Sequence, residues 1–116
     1  MSVKTSILAF ATAAALAPVA HTCPVTGQKF FIKRMTIGEK ENYYKKISES
    51  EEGMGNAMSL TMIAVDEKGK PIFDGSDIPS LANLPSEIFE SAFKKFSEAG
   101  KPETVEAAEK NSEPRT

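Results

Sequence analysis

The sequence has no tryptophan, one cysteine and one histidine in 116 residues. A lone thiol cannot close an internal disulfide, which excludes a small secreted fold stapled by disulfides and suits a reducing compartment. His21 and Cys23 form the only pair of soft metal ligands, whereas a structural zinc site wants four. As a nucleophile pair they would also need a formed pocket and an orienting third group. No GxSxG, phosphate-binding glycine loop or HExxH occurs. Asp66, Asp74 and Asp77 do not follow the EF-hand spacing, and Glu49, Glu51 and Glu52 have no regular ligand spacing, so turn, cap and solvated-loop roles account for them. The expectation is a protein that is not an enzyme, with no cofactor and no metal. Apolar runs fall short of the roughly 20 residues that cross a bilayer. The formal net charge is only −2. Neither half is strongly basic, so there is no electrostatic case for nucleic-acid binding.

What is present is ordinary for one globular domain: 41% apolar and 26% charged residues, with seven Phe and five Met. Thioether side chains fill irregular gaps, so the core should be adaptable. Two readings of residues 1–22 stand open on composition. Lys4 followed by the apolar run Ile7–Ala17 has the outline of a secretory signal peptide, although Pro18 spoils the cleavage positions near Ala17 and Ala20. The other reading is an Ala-rich helix that packs Val3, Ile7, Leu8, Ala11 and Ala15 against the domain or a partner.

Beyond Cys23 the pattern changes. Thr26-Gly27 supplies a turn between Cys23-Pro24-Val25 and the aromatic, β-branched run Gln28–Met35, which predicts a β-hairpin. Thr36-Ile37-Gly38-Glu39 matches a capping box and predicts a helix to about Ser48, with Tyr43, Tyr44 and Ile47 facing the core. Asn56 is the expected cap of a buried central helix reaching Val65, with a strand for its last residues as the alternative. Ile63–Ile78 then reverses the chain. Gly69 and Gly75 can take positive φ in the two turns, and Ile72 and Phe73 are expected to peg the segment into the core. A short helix through Leu81 follows. The last helix opens at Leu84-Pro85-Ser86-Glu87 and carries the stripe Ile88, Phe89, Ala92, Phe93, Phe96. Gly100-Lys101-Pro102 ends it, and residues 101–116 hold too few apolar side chains to offset the entropy of ordering.

The order of these features carries a family resemblance. A basic, Ala-rich start leads through a glycine turn to an aromatic strand ending Lys33-Arg34-Met35-Thr36. A helix opens with Gly38-Glu39-Lys40-Glu41. The run Met62-Ile63-Ala64-Val65-Asp66-Glu67-Lys68-Gly69-Lys70-Pro71-Ile72-Phe73 comes next, then Asp77-Ile78 and Leu81, a Phe-rich helix and Glu109-Lys110-Asn111-Ser112. This resembles the small tail assembly chaperones of long-tailed bacteriophages. The resemblance implies a mainly α (α+β) fold: an Ala-rich N-terminal helix over 1–22, a chaperone-like domain with an N-terminal β-hairpin over 23–100, and a disordered or frayed tail over 101–116. It also implies a protein of the host cytoplasm, absent from the finished virion. Its partners would be the tape measure protein, the tail tube protein and other copies of itself, with no role for nucleic acid or membrane. The family often makes a longer product by ribosomal frameshifting, and Lys110-Asn111 is compatible with a slippery site. The aromatics that would meet a partner are Phe30, Phe31, Tyr43, Tyr44, Phe89 and Phe93, some of which must also serve the core. The competing class is a small exported protein from which residues 1–22 have been removed.

Overall fold

A computed structural model describes residues 2–12 and 16–99. The elements run α1 (Val3–Leu8), β1 (Val19–Thr22), β2 (Lys29–Ile32), α2 (Ile37–Glu49), α3 (Gly55–Ile63), β3 (Ala64–Val65), a 3₁₀ turn (Gly75–Asp77), α4 (Ile78–Leu81) and α5 (Ser86–Ala99). The fold is mainly helical with a hairpin near its start, as the sequence implies. The tail expected over 101–116 lies outside the described residues.

The hairpin begins earlier than the sequence indicates. Val19–Thr22 is its first strand, paired antiparallel with β2 in the register Val19 to Ile32 and His21 to Phe30. Cys23-Pro24-Val25 forms the turn instead of the strand. The Cys23 N–H donates to the Gln28 carbonyl at 2.8 Å, the Gly27 N–H donates to the Cys23 carbonyl at 2.9 Å, and Gly27 has φ +76°. The helix expected over residues 1–22 is therefore confined to α1. Thr22, His21 and Val19 are poor helix formers beside Pro18, and pairing with β2 gives their backbone groups partners. Within α1 no residue is buried, and Val3, Ile7, Leu8 and Phe10 are at least 60% exposed. Its apolar face does not pack on the domain.

Strand alternation places Val19, His21, Phe30, Ile32 and Ala64 on one face of the sheet, toward α5, and Ala20, Phe31 and Val65 on the other. β2 is central in the order β1-β2-β3. The Lys33 N–H extends the ladder toward α3 by donating to the Ile63 carbonyl at 2.9 Å.

Thr36 and Glu39 form the expected capping box of α2, each side chain accepting from the other's backbone N–H at 3.0 and 2.9 Å. Glu39 also pairs with Lys33 at 3.3 Å, which ties the helix start to the strand. The Thr36 amide first, with help from Lys33, holds the Glu39 carboxyl below its ordinary range. α3 runs against α2, α4 and α5 at the centre of the core. Its N-cap is Met54, without a side-chain bond, and Asn56 lies inside the first turn. Its last residues leave the helix, because Ala64 and Val65 pair with Ile32 and Phe31 and their backbone groups find strand partners.

The reversal after β3 is a second hairpin-like return. The Asp66 carboxylate accepts from the amides of Lys68 and Lys70 at 2.8 and 2.9 Å, Gly69 sits at φ +87°, and Pro71 bridges back to Val65. Those amide bonds, Lys70 first, hold the Asp66 carboxyl below its usual range. Asp74 and Asp77 cap the 3₁₀ turn reciprocally. Turn and cap roles thus account for all three aspartates. Of the two expected pegs, Phe73 packs against the core, whereas Ile72 is 43% exposed. The core itself is Ile32, Tyr43, Ala57, Leu60, Ile63, Leu81, Ala92 and Phe96.

Candidate partner-binding surface

The aromatic residues of α2 and α5 meet across the core through the tilted Tyr43–Phe96 pair. Tyr44 contacts Tyr43 with ring centroids 5.2 Å apart, Tyr43 contacts Phe96 at 5.3 Å, Phe96 contacts Phe93 at 6.0 Å and Phe93 stacks on Phe89 at 5.5 Å. Offset and edge-on arrangements at these separations are the favoured ones, worth about 0.5–1.5 kcal/mol per pair beyond area burial. The seam is fixed in its middle and open at its ends. Tyr43 and Phe96 are 2% and 6% exposed, while Tyr44 is 60% and Phe93 40% exposed.

Tyr43 is anchored by a buried hydrogen bond of 2.6 Å between its hydroxyl and the Ser59 hydroxyl on α3. Burial pushes the Tyr43 phenol above its ordinary value. Lys40, one turn before Tyr44, places its ammonium 5.2 Å over the Phe96 ring, a cation–π contact worth about 0.5–1 kcal/mol near a surface. Ile37, 84% exposed, lies one further turn back along α2. Ile37, Lys40 and Tyr44 therefore share a stripe that faces the open end of the seam.

Among the six expected contact residues, Tyr43, Tyr44, Phe89 and Phe93 come together here. Tyr44 points outward, not into the core as its spacing suggests, because Tyr43 takes the core direction and adjacent helix positions diverge by about 100°. Phe30 and Phe31 lie elsewhere. Phe30 is partly buried on the inner sheet face, edge-on to His21 at 5.2 Å, and Phe31 sits on the opposite face beside Val65. Two residues of this surface fall outside the expected set. Phe96 was visible only as part of the α5 stripe, and the placement of Lys40 above it depends on how α2 crosses α5. Among the described residues no group of three His, Cys, Asp or Glu side chains could hold a metal ion.

His21 is buried and titratable. Its Nε2 lies 3.2 Å from the Ser91 hydroxyl, which itself donates to the Ile88 carbonyl at 3.3 Å. The contact joins β1 to α5. Burial first, and then the Lys95 ammonium, lower the imidazole below its ordinary pKa. The unfolded chain thus takes up a proton near pH 6.5, and the folded chain only at lower pH. Between those values the unfolded state binds more protons, so stability rises with pH. The contribution of neutral His21 is complete above about pH 7 and is lost as pH falls through 6.5 toward the folded value. Urea midpoints at pH 8 and pH 5.5 should differ more for the native chain than for His21→Phe. Equal pH dependence in the two would show that His21 does not couple folding to protonation.

Comparison with solved structures returns a distant structural resemblance to the bacteriophage HK97 tail assembly chaperone. The TM-score is 0.48 and the identity 13%, over 80% of this chain and 97% of that one. No protein-family model and no curated protein matches the sequence.

Proposed function

We propose that this chain is a tail assembly chaperone of a long-tailed bacteriophage. In this reading it binds the tape measure protein and recruits tail tube subunits while the tail is built, working in the host cytoplasm and leaving before the virion is complete. The order of sequence features set out above supports the family. The observation that carries the binding role is the aromatic seam, whose buried rings hold Tyr44 and Phe93 in place at the surface. An extended helical partner presents apolar side chains at i, i+3, i+4 and i+7, and such a stripe can lie along rings spaced about one helical turn apart. Pre-set aromatic anchors lose little side-chain entropy on binding, which is why they concentrate binding energy. Among the described residues no helix is long and apolar enough to cross a membrane.

The test is co-expression with the tape measure protein that this reading assigns as partner. The native chain should keep that protein soluble and co-purify with it. Tyr44→Asp and Phe93→Asp should each weaken the complex by about 2 kcal/mol or more, roughly thirtyfold. Tyr44→Asp should leave the melting temperature close to native, because that side chain is 60% exposed, whereas Phe93→Asp, at a ring 40% exposed, should lower it modestly. Retention of the partner by a Tyr44→Asp/Phe93→Asp double variant would remove the seam as the binding surface.

A further inference from the structure

A shallow groove of about 380 Å³ lies where the end of α2, the start of α3 and the start of α4 come together. Met54, Met58, Ile78 and Pro79 give it an apolar lining, and Glu49 and Glu51 stand beside them. The two methionines are half-buried, whereas both glutamates are exposed. Met54 and Met58 are one helical turn apart, with the Met58 N–H donating to the Met54 carbonyl at 2.9 Å. An engineered apolar cavity of about 150 Å³ takes up a benzene ring, so this groove has room for one long side chain.

The charge around the groove has one sign. Segments 47–58 and 71–93, which form it, hold seven acidic residues and no basic one. Most of these acids have local work. Asp74 and Asp77 cap the 3₁₀ turn, Glu87 lies in the first turn of α5, and Glu51 and Glu52 precede the start of α3, where negative charge is favourable. Glu49 has no such role. It is the last residue of α2, at the helix end that already carries partial negative charge, where a carboxylate is unfavourable. The Ser48 and Ser50 hydroxyls donate to the Lys45 and Ile47 carbonyls there at 2.8 and 2.7 Å, but they bring no positive charge. Among the described residues the one ion pair joins Lys33 to Glu39, so Lys45 and Lys46 leave Glu49 without a counter-ion.

We infer that this groove docks a basic segment of a partner protein through one lysine or arginine. The methylene stem of that side chain lies on Met54 and Met58, and its charged head reaches Glu49 and Glu51. Both parts of the lining are then used. Long basic side chains lay their stems along apolar surface while the charged head stays in water, and thioethers adapt to the shape of the stem. A divalent cation fits the lining poorly, because hard cations take several oxygen ligands. Among the described residues no group of three His, Cys, Asp or Glu side chains could supply them. A cation docked beside Glu49 also offsets the repulsion between that carboxylate and the end of α2. The groove shares no residue with the aromatic seam, so its occupant and a partner on Tyr44 and Phe93 can be held together.

The test is titration of the native full chain with a fluorescent helical peptide made of leucine and lysine. The peptide should bind at low ionic strength and weaken as salt rises through about 0.15 M. Binding should move the methyl resonances of Met54 and Met58 and leave that of Met35 in place. Glu49→Gln/Glu51→Gln should weaken it about fivefold, the effect of losing exposed ion pairs, with a urea midpoint close to the native one. Removing the same charge elsewhere, in Glu67→Gln/Glu98→Gln, should cost less than about twofold. Equal losses in the two double variants would overturn the inference, since net charge alone would then hold the peptide. So would a peptide that does not bind, Met54 and Met58 methyls that do not move, or loss of binding in Tyr44→Asp, which would put the peptide on the seam. Full displacement by spermidine at the same concentration of positive charge would give the groove to a free polyamine. Shifts of Met54 and Met58 on diluting the native chain alone would give it to a second copy, and either result overturns the inference.

Discussion

A chain lacking residues 1–22 is expected not to fold under conditions in which a chain lacking residues 1–12 does. The two deletions differ by β1 and the segment that leads to it. Taking away α1 removes side chains that are mostly in water, so dilute, monomeric samples of the shorter deletion should keep the native urea midpoint. Removing β1 has a different physical meaning. Four residue pairs with β2 are lost, and with them the partners of β2's backbone along one edge. Ile32, now 0% exposed, loses its cross-strand neighbour Val19, and Phe30 loses the edge-on His21 ring. Burial of each large apolar side chain is worth about 1.5–3 kcal/mol, and the whole fold is stable by only about 5–15 kcal/mol. What would remain of the sheet is β2 beside a two-residue β3, and two-stranded sheets are marginal in water. Amide-proton dispersion and a urea titration decide the point. A cooperative transition at the native midpoint for the 1–22 deletion would show that β1 is dispensable, and it would revive the reading in which those residues are removed on export.

That β1 escaped the sequence reading has a clear cause. Residues 3–17 are alanine-rich with an i, i+4, i+7 apolar rhythm, and this pattern masks the four-residue strand behind it. A strand that short has no periodicity of its own, and Val19–Thr22 becomes one only through pairing with β2. Other elements were readable because their determinants are local. The Thr36–Glu39 capping box uses neighbours three residues apart, and the Asp66–Gly69 turn closes within five residues. Ala64 and Val65 fall between these cases. The alternation of Thr61, Ile63 and Val65 with smaller or more flexible neighbours permits a strand, but only contact with Phe31 and Ile32 converts the end of a helical run into one.

The candidate site divides along the same line. The α5 stripe was readable from spacing, and so was the inward direction of Tyr43. The joining of the α2 and α5 rings was not, because the Tyr43–Phe96 contact spans more than fifty residues of sequence and depends on the crossing of two helices. From spacing, Tyr43 and Tyr44 are equivalent. In the structure one has its hydroxyl on Ser59 and the other faces water.

Phe96→Ala should cost about 3–5 kcal/mol, the range for removing a buried aromatic ring, whereas Phe93→Ala should cost about 1 kcal/mol or less. Both rings belong to the seam, so the difference is a measure of how it is built. Phe96 is 6% exposed and touches Tyr43, Phe93 and the Lys40 ammonium. Its loss opens a cavity beside Tyr43 and deprives Lys40 of its cation–π partner. Phe93 is 40% exposed, and its removal leaves the stacked Phe89 without disturbing Tyr43. A double-mutant cycle between Tyr43→Leu and Phe96→Leu should return a coupling of about 0.5–1.5 kcal/mol, the share of an aromatic pair beyond burial. Partner binding should rank the other way from stability. Phe93→Ala should weaken the complex strongly while barely moving the urea midpoint, and Phe96→Ala should weaken it only in proportion to the fraction unfolded. If Phe96→Ala and Phe93→Ala lost stability equally, the seam would have no buried anchor. Its exposed rings would then be ordinary surface aromatics rather than a pre-set docking edge.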